Sequence, residues 1–212
     1  LLGSVLTALL YIALFLTLGG VLGVKSVSFA AVLASMGLAV GMALSGQLQN
    51  LAGGVIIMVT KPFSIGDYIL AQTAEGSVRA VSLFYTEILT PDNKRIFIPN
   101  GVLSSGVVVN YSHEETRRIE WTIGIEYDED FARVRSAIES LLESDERVLK
   151  TPEPTIVLHN LNSSSVDVLV RAWVRSEDLW PVFWDFNRRV YEDFNKRGIS
   201  FPFPQLTVHQ GK

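Results

Sequence analysis

The first sixty residues of this chain contain one Lys, Arg, Asp or Glu, namely Lys25, while the remaining 152 residues contain all the others. A charge at the centre of a membrane helix costs about 2.5–3.5 kcal/mol on insertion scales, and a span needs roughly 20 apolar residues. Leu1–Val24 supplies that length, and Ser26–Thr60 contains no ionisable group before Lys61. The sequence therefore predicts two membrane helices, over 1–24 and 26–60, within a membrane segment that ends at residue 61. It is read as an integral membrane protein with a soluble part attached.

The soluble part is long enough for one core, or for two small ones at roughly 100 residues each. It holds 17 Lys/Arg against 22 Asp/Glu, with no basic stripe, which argues against a nucleic-acid partner. Cysteine is absent, so a disulfide framework, a thiolate metal site and a cysteine nucleophile are excluded. His113, His159 and His209 stand in no metal or triad spacing, and no cofactor is expected. An enzyme on a membrane anchor is thereby disfavoured. Asp128, Glu129 and Asp130 suit a helix N-terminus better than a catalytic pair. Asp67 after Gly66 reads as turn chemistry, with a bridge to a membrane loop as the alternative. The basic residues from Lys61 onward place 61–212 in the cytoplasm by the positive-inside tendency. The chain opens on Leu1 inside an apolar run, which suggests a further N-terminal portion.

Between Ala30 and Gly54 the second segment is unusually rich in Gly, Ala and Ser. Gly costs about 1 kcal/mol against Ala in a helix interior, so its repetition needs a reason; in membranes small residues let helix backbones approach closely. At about 100° per residue, Leu38, Met42, Ser45, Gln49 and Ala31 make one narrow stripe. Gly37 and Gly41 flank it on one side, Ala39 and Gly46 on the other. A helix in a closed ring needs two such packing faces, and the stripe between them lines the axis. One reading is a helix packed in an ordinary bundle; the other is a pore-lining helix closed by dewetting at Leu38 and Met42. A straight helix over 26–60 would reach about 52 Å against a hydrocarbon core of about 30 Å, so a bend at Gly46 or Gly53-Gly54 is expected.

After Lys61-Pro62-Phe63 come five short strand-like runs: GDYILA, EGSVRAVSLFY, TEILT, KRIFIP and GVVVNY. They suggest a small barrel or strongly bent sheet, with Pro99-Asn100-Gly101 breaking the fourth run from the fifth. RRIEWTIGIEY then alternates as a strand, and DEDFARVRSAIESLLESDERVL has helical spacing. TIVLHNL and SSVDVLVRAWVR follow as strands, and LWPVFWDFNRRVYEDFNKRG as an amphipathic helix ending at Gly198. The order resembles a ferredoxin-like split unit. A last strand is expected through FPFPQLTVH, either in the same sheet or, because of Pro202 and Pro204, paired elsewhere.

Three blocks then carry a family resemblance. GLAVGMALSGQLQNLAGGV, KPFSIGDYI with Thr86, Asp92 and IPNG, and GISFPFPQ occur in this order and resemble the small-conductance mechanosensitive channel family (MscS) over essentially the whole chain. The resemblance implies a homo-oligomer, a heptamer, in a bacterial or archaeal cell membrane, contacting lipid and passing ions and small solutes on hypo-osmotic shock. It implies transmembrane helices over 1–61, an Sm-like β-barrel domain over 62–112, an α/β domain over 113–201 and a C-terminal strand of an oligomeric barrel over 202–212. Leu38 and Met42 match the pore constriction, Ala31, Gly37, Ala39 and Gly41 the packing between pore helices, and Gly46 and Gly54 the kinks. Asn50 matches a polar position just below the first kink. Met42 departs from the usual Leu and leaves a more flexible apolar ring. Members also carry a further membrane helix ahead of the first one here. A ligand- or partner-gated channel of the same architecture is the alternative; a carrier is disfavoured by a midplane without charge.

Overall fold

The computed structural model describes residues 2–21 and 26–205, in two compact units, 1–110 and 111–212. Two helices open the first unit, α1 (Leu2–Val21) and α2 (Ser26–Thr60). Two spanning helices were expected. Among the described residues α2, over Ala31–Thr60, is long and apolar enough to cross a membrane, and α1 contributes a shorter apolar stretch, Leu10–Val21. Lys25 and the connection between the helices lie outside the described residues.

Five antiparallel strands follow, β1 (Tyr68–Ala71), β2 (Ala74–Val81), β3 (Tyr85–Leu89), β4 (Arg95–Pro99) and β5 (Val108–Asn110). They form one sheet in the order β4-β3-β2-β1-β5. The two-residue period sends Ile69, Ala71, Val78, Ile88 and Ile98 into the core, with a register shift between Val78 and Ala80. Pro99-Asn100-Gly101, expected only as a break, begins a helix, α3 (Asn100–Ser105). Six residues are too few to show a helical period, and Pro99 fits the position just before the first turn. Leu103 of α3 and Ile57 of α2 are buried in the same core as the strands. The last turns of the long helix are thus part of the β unit.

The second unit runs β6 (Thr116–Ile125), α4 (Phe131–Glu143), β7 (Thr155–Leu161), β8 (Val166–Arg175) and α5 (Leu179–Arg197). Its antiparallel sheet has the order β6-β8-β7, with a ten-residue register between β6 and β8. The Asp130 carboxylate caps α4 by accepting from the Ala132 N–H at 2.9 Å. Gly198 ends α5 in the left-handed region, φ +66°, where glycine carries no steric penalty. Val134, Ile138, Val168, Val170, Val182 and Phe194 lie at the centre of this core.

After α5 the chain passes Gly124 of β6, where an added Cβ would lie 3.2 Å from Pro202. Phe201 stacks on Phe194 at 5.5 Å. Residues 202–205 form no strand, since Pro202 and Pro204 have no N–H to give to a ladder. The rest of the expected C-terminal strand, 206–212, lies outside the described residues.

Candidate pore helix and its anchor

Every residue singled out for the pore lies on α2, and the structure divides them into two groups. Leu38 and Met42 are each 64% exposed. Ala31, Gly37, Ala39, Gly41 and Gly46 are exposed as well. A Cβ added at Gly37, Gly41 or Gly46 would meet nothing within 4 Å of the chain. Among the described residues no contact within one chain accounts for these glycines. The hydroxyls along this stretch are satisfied by the helix itself: Ser35 donates to the Val32 carbonyl at 2.8 Å and Ser45 to the Met42 carbonyl at 2.9 Å. Such back-bonding leaves an apolar, uncharged surface over the upper turns.

The lower turns are the opposite. An added Cβ at Gly53 would lie 2.5 Å from the Asn100 carbonyl oxygen and 2.7 Å from Ser104 Oγ. At Gly54 it would lie 2.3 Å from the Leu83 carbonyl oxygen and 2.7 Å from Asn100 Nδ2. Both glycines are buried, and α2 is an unbroken helix through Gly46 and through this pair. The structure thus gives Gly54 a packing reason: α3 and the loop between β2 and β3 sit directly on the helix backbone. Gly101 answers from the other side, its added Cβ falling 2.9 Å from Asn50 Oδ1.

A buried polar network fixes this contact. Thr86 and Asn100 are the two buried polar side chains among the described residues. The Thr86 hydroxyl donates to Asn100 Oδ1 at 2.8 Å, and Asn100 Nδ2 donates to the Ser82 carbonyl at 2.7 Å. The Asn100 N–H reaches the Phe84 carbonyl at 2.9 Å. Asn50 on α2 then accepts the Gly101 N–H at 3.1 Å, satisfying a donor of the first turn of α3. Buried groups satisfied in this way rigidify a junction. Asp67 does turn work at the helix exit: its Oδ2 accepts the Ser64 N–H and Asn110 Nδ2, each at 2.8 Å. Asn110 Nδ2 also lies 3.2 Å from the Pro62 carbonyl.

Sequence reasoning missed Gly53, Ser82 and Gly101 as parts of the junction. Their partners lie about twenty to fifty residues away along the chain, beyond any local pattern. The one local signal was the Pro99-Asn100-Gly101 run itself.

Comparison with known proteins bears on both units. Residues 46–113 match the family model described as the β-domain of mechanosensitive ion channels, and 119–201 the model described as the C-terminal part of the mechanosensitive ion channel MscS. An uncharacterised MscS family protein of Buchnera aphidicola is 35% identical over 193 residues, 91% of this chain and 69% of its own length. The small-conductance mechanosensitive channel of Edwardsiella ictaluri is 36% identical over 173 residues, 82% of this chain and 60% of that protein. The crystal structure of Helicobacter pylori MscS in a closed state superposes with a TM-score of 0.92 at 28% identity, covering 99% of this chain and 83% of that one.

Proposed function

The chain belongs to the MscS family of mechanosensitive channels, and from that premise we propose that it is one subunit of an ion channel opened by membrane tension. The observation that carries the reading is the upper half of α2. Its exposed, uncharged stripe through Leu38 and Met42 is bordered on both sides by exposed small residues, and Gly37, Gly41 and Gly46 face open space where a Cβ would stand. Copies packed through Gly37 and Gly41 on one side and Ala39 on the other, with Ala31 also at the packing between helices, form a closed ring, a heptamer. Leu38 and Met42 then make stacked apolar rings that exclude water, and ions with it. Bilayer tension favours the state with the larger in-plane area, as a ligand favours the state it binds better. Helices that tilt outward at Gly46 widen the rings and release ions and small solutes on hypo-osmotic shock.

The remaining parts fit this role. The five-stranded sheet is read as an Sm-like domain and the β6-β8-β7 unit as a ferredoxin-like domain with three strands among the described residues. The segment 202–212 supplies one strand to a barrel shared by all copies. Residues 61–212 lie in the cytoplasm, below a multi-pass segment in the cell membrane.

A patch recording on purified protein in plain liposomes tests the proposal. Stepwise currents under suction are expected. Leu38→Ser should leak without suction, since a hydroxyl ring wets the constriction, and Gly41→Leu should need more suction by spoiling the seam. Silence of the unmodified protein under suction refutes tension gating; unaltered behaviour of both variants refutes the assignment of this face to the pore.

A further inference from the structure

The residues that leave α5 are fastened in two unequal halves. Ile199 is 2% exposed, and its N–H donates to the Phe194 carbonyl at 2.9 Å. The Ser200 N–H donates to Glu129 Oε1, just before α4, at 2.7 Å, and Arg133 in the first turn of α4 donates to the Arg197 carbonyl. Phe201 is half-buried and stacks on Phe194 and Tyr191, with centroids 5.5 and 6.1 Å away. These residues are built into the core of the unit. Beyond them the hold weakens. Pro202 lies against Gly124, and because Ile123 and Ile125 are buried, Gly124 faces the opposite, outer side of the sheet. A glycine inside a strand suits such a close approach of another stretch of chain. Phe203, Pro204 and Gln205 are exposed, Phe203 by 74%. Their one hydrogen bond among the described residues runs from the Gln205 N–H to Ser164 Oγ at 3.2 Å. Ser164 belongs to the turn between β7 and β8, which Asp167 braces by accepting from Asn162 Nδ2 at 2.7 Å and Ser165 Oγ at 3.2 Å.

We propose that residues 202–205 are a releasable strap, which lifts from Gly124 and Ser164 while 199–201 stay in the core. The two halves resist release for different reasons. Freeing 199–201 would expose Ile199 and uncover Phe194, which is fully buried. Freeing 202–205 breaks a single hydrogen bond to an already exposed stretch, and the chain entropy regained favours it. Four residues fully extended span about 13 Å. The chain after Gln205 can therefore move within that distance of Phe201 without unfolding the unit. The use of this slack rests on the oligomeric channel reading above. Copies that separate as the pore widens stay tied through a shared C-terminal barrel, and the strap supplies the length that separation demands.

Hydrogen exchange of the purified channel, read by mass spectrometry, tests the two halves without any current. Pro202 and Pro204 have no N–H, so exchange over 202–205 reports Phe203 and Gln205 alone. Both should exchange about a hundredfold faster than Ile199 and Ser200, which should keep pace with β6 and β8. Equal rates in the two halves overturn the strap. The chain has no cysteine, so Ser164→Cys/Gln205→Cys can lock it with a single disulfide. The bond should form under mild oxidant in the assembled channel, and failure to form it overturns the fastened position. In liposome patches the oxidised double variant should open at higher suction, and reductant should reverse the shift. Opening at the same suction before and after reduction, with the cross-link verified, overturns the strap as a source of slack. An unmodified protein that stays silent under suction refutes tension gating instead, and the exchange rates still decide the strap.

Discussion

Gly54→Ala separates two accounts of the same glycine. If Gly54 serves a bend, an alanine stiffens the helix and alters gating while leaving the fold intact. If it serves packing, the alanine damages the β unit. The structure favours damage: the new Cβ would stand 2.3 Å from the Leu83 carbonyl oxygen, a backbone atom, and must gain about 0.7 Å to reach even 3.0 Å. Overpacking of this kind costs about 1–3 kcal/mol. The same methyl group lies 2.7 Å from Asn100 Nδ2, so the donation to Ser82 is pushed apart, and a buried donor left unsatisfied costs about another 1–3 kcal/mol. The helix propensity of Ala over Gly returns about 1 kcal/mol. The net loss is about 3 kcal/mol, which for a chain of this size corresponds to roughly 6–12 °C in midpoint. Thermal unfolding of the purified channel in detergent measures it. A midpoint within about 2 °C of the unmodified protein would refute the packing account and return Gly54 to the role of a bend.

Other perturbations test the remaining links. Asn50→Leu removes the acceptor for the Gly101 N–H and should weaken the junction by about 1–2 kcal/mol, read as faster hydrogen exchange in α3, whereas Asn50→Asp keeps an oxygen there and should exchange more slowly than Asn50→Leu. Gly41→Ala meets nothing in its own chain, so a single helix should gain up to about 1 kcal/mol; a raised opening tension would report the neighbouring helix alone. In the second unit the Arg147 guanidinium, donating to both oxygens of Asp145 at 2.9 and 2.8 Å, holds that carboxyl below the usual carboxylate range, with Arg189 adding to the effect. A depressed folded pKa stabilises above the unfolded value of about 3.9 and ceases to do so as pH falls through the folded one. The midpoint should therefore hold from pH 7 to about 5 and fall below about 4, and Asp145→Asn should flatten this acid limb while lowering the midpoint at neutral pH. An unchanged acid limb in that variant would place the acid sensitivity elsewhere.

Much of the fold was legible because its elements declare themselves locally. Alternation in RRIEWTIGIEY and in the run ending VLVRAWVR marks β6 and β8, and Gly198 marks the end of α5 through its left-handed backbone. Elements whose reason lies elsewhere in the chain were not legible. Helix α3 is too short to have a period, and the residues that seat it, Asn50, Gly53 and Gly54, sit about fifty positions upstream. A pair of glycines in a long apolar helix reads as flexibility when only the helix is in view. With α3 in view it reads as clearance for a backbone. The exposed stripe was visible for the converse reason: in the proposed ring its partners would be copies of itself, so no other part of the sequence is needed to explain it.

This division of α2 also bears on where the helix can bend. Its upper turns over 31–48 are exposed apart from the half-buried Leu33, whereas Asn50, Gly53, Gly54 and Ile57 are held by α3, the β2–β3 loop and the β core. A rod clamped at one end and loaded at the other yields just outside the clamp. Gly46 lies one turn above Asn50, the first clamped position, with the intrinsically weaker helix propensity of glycine. Gly54, inside the clamp, is the wrong place for a hinge whatever its propensity. On the proposed gating, two glycines that look alike in the sequence take opposite mechanical roles by what packs against them: Gly46 would yield under tension, and Gly54 lets α3 close on the backbone.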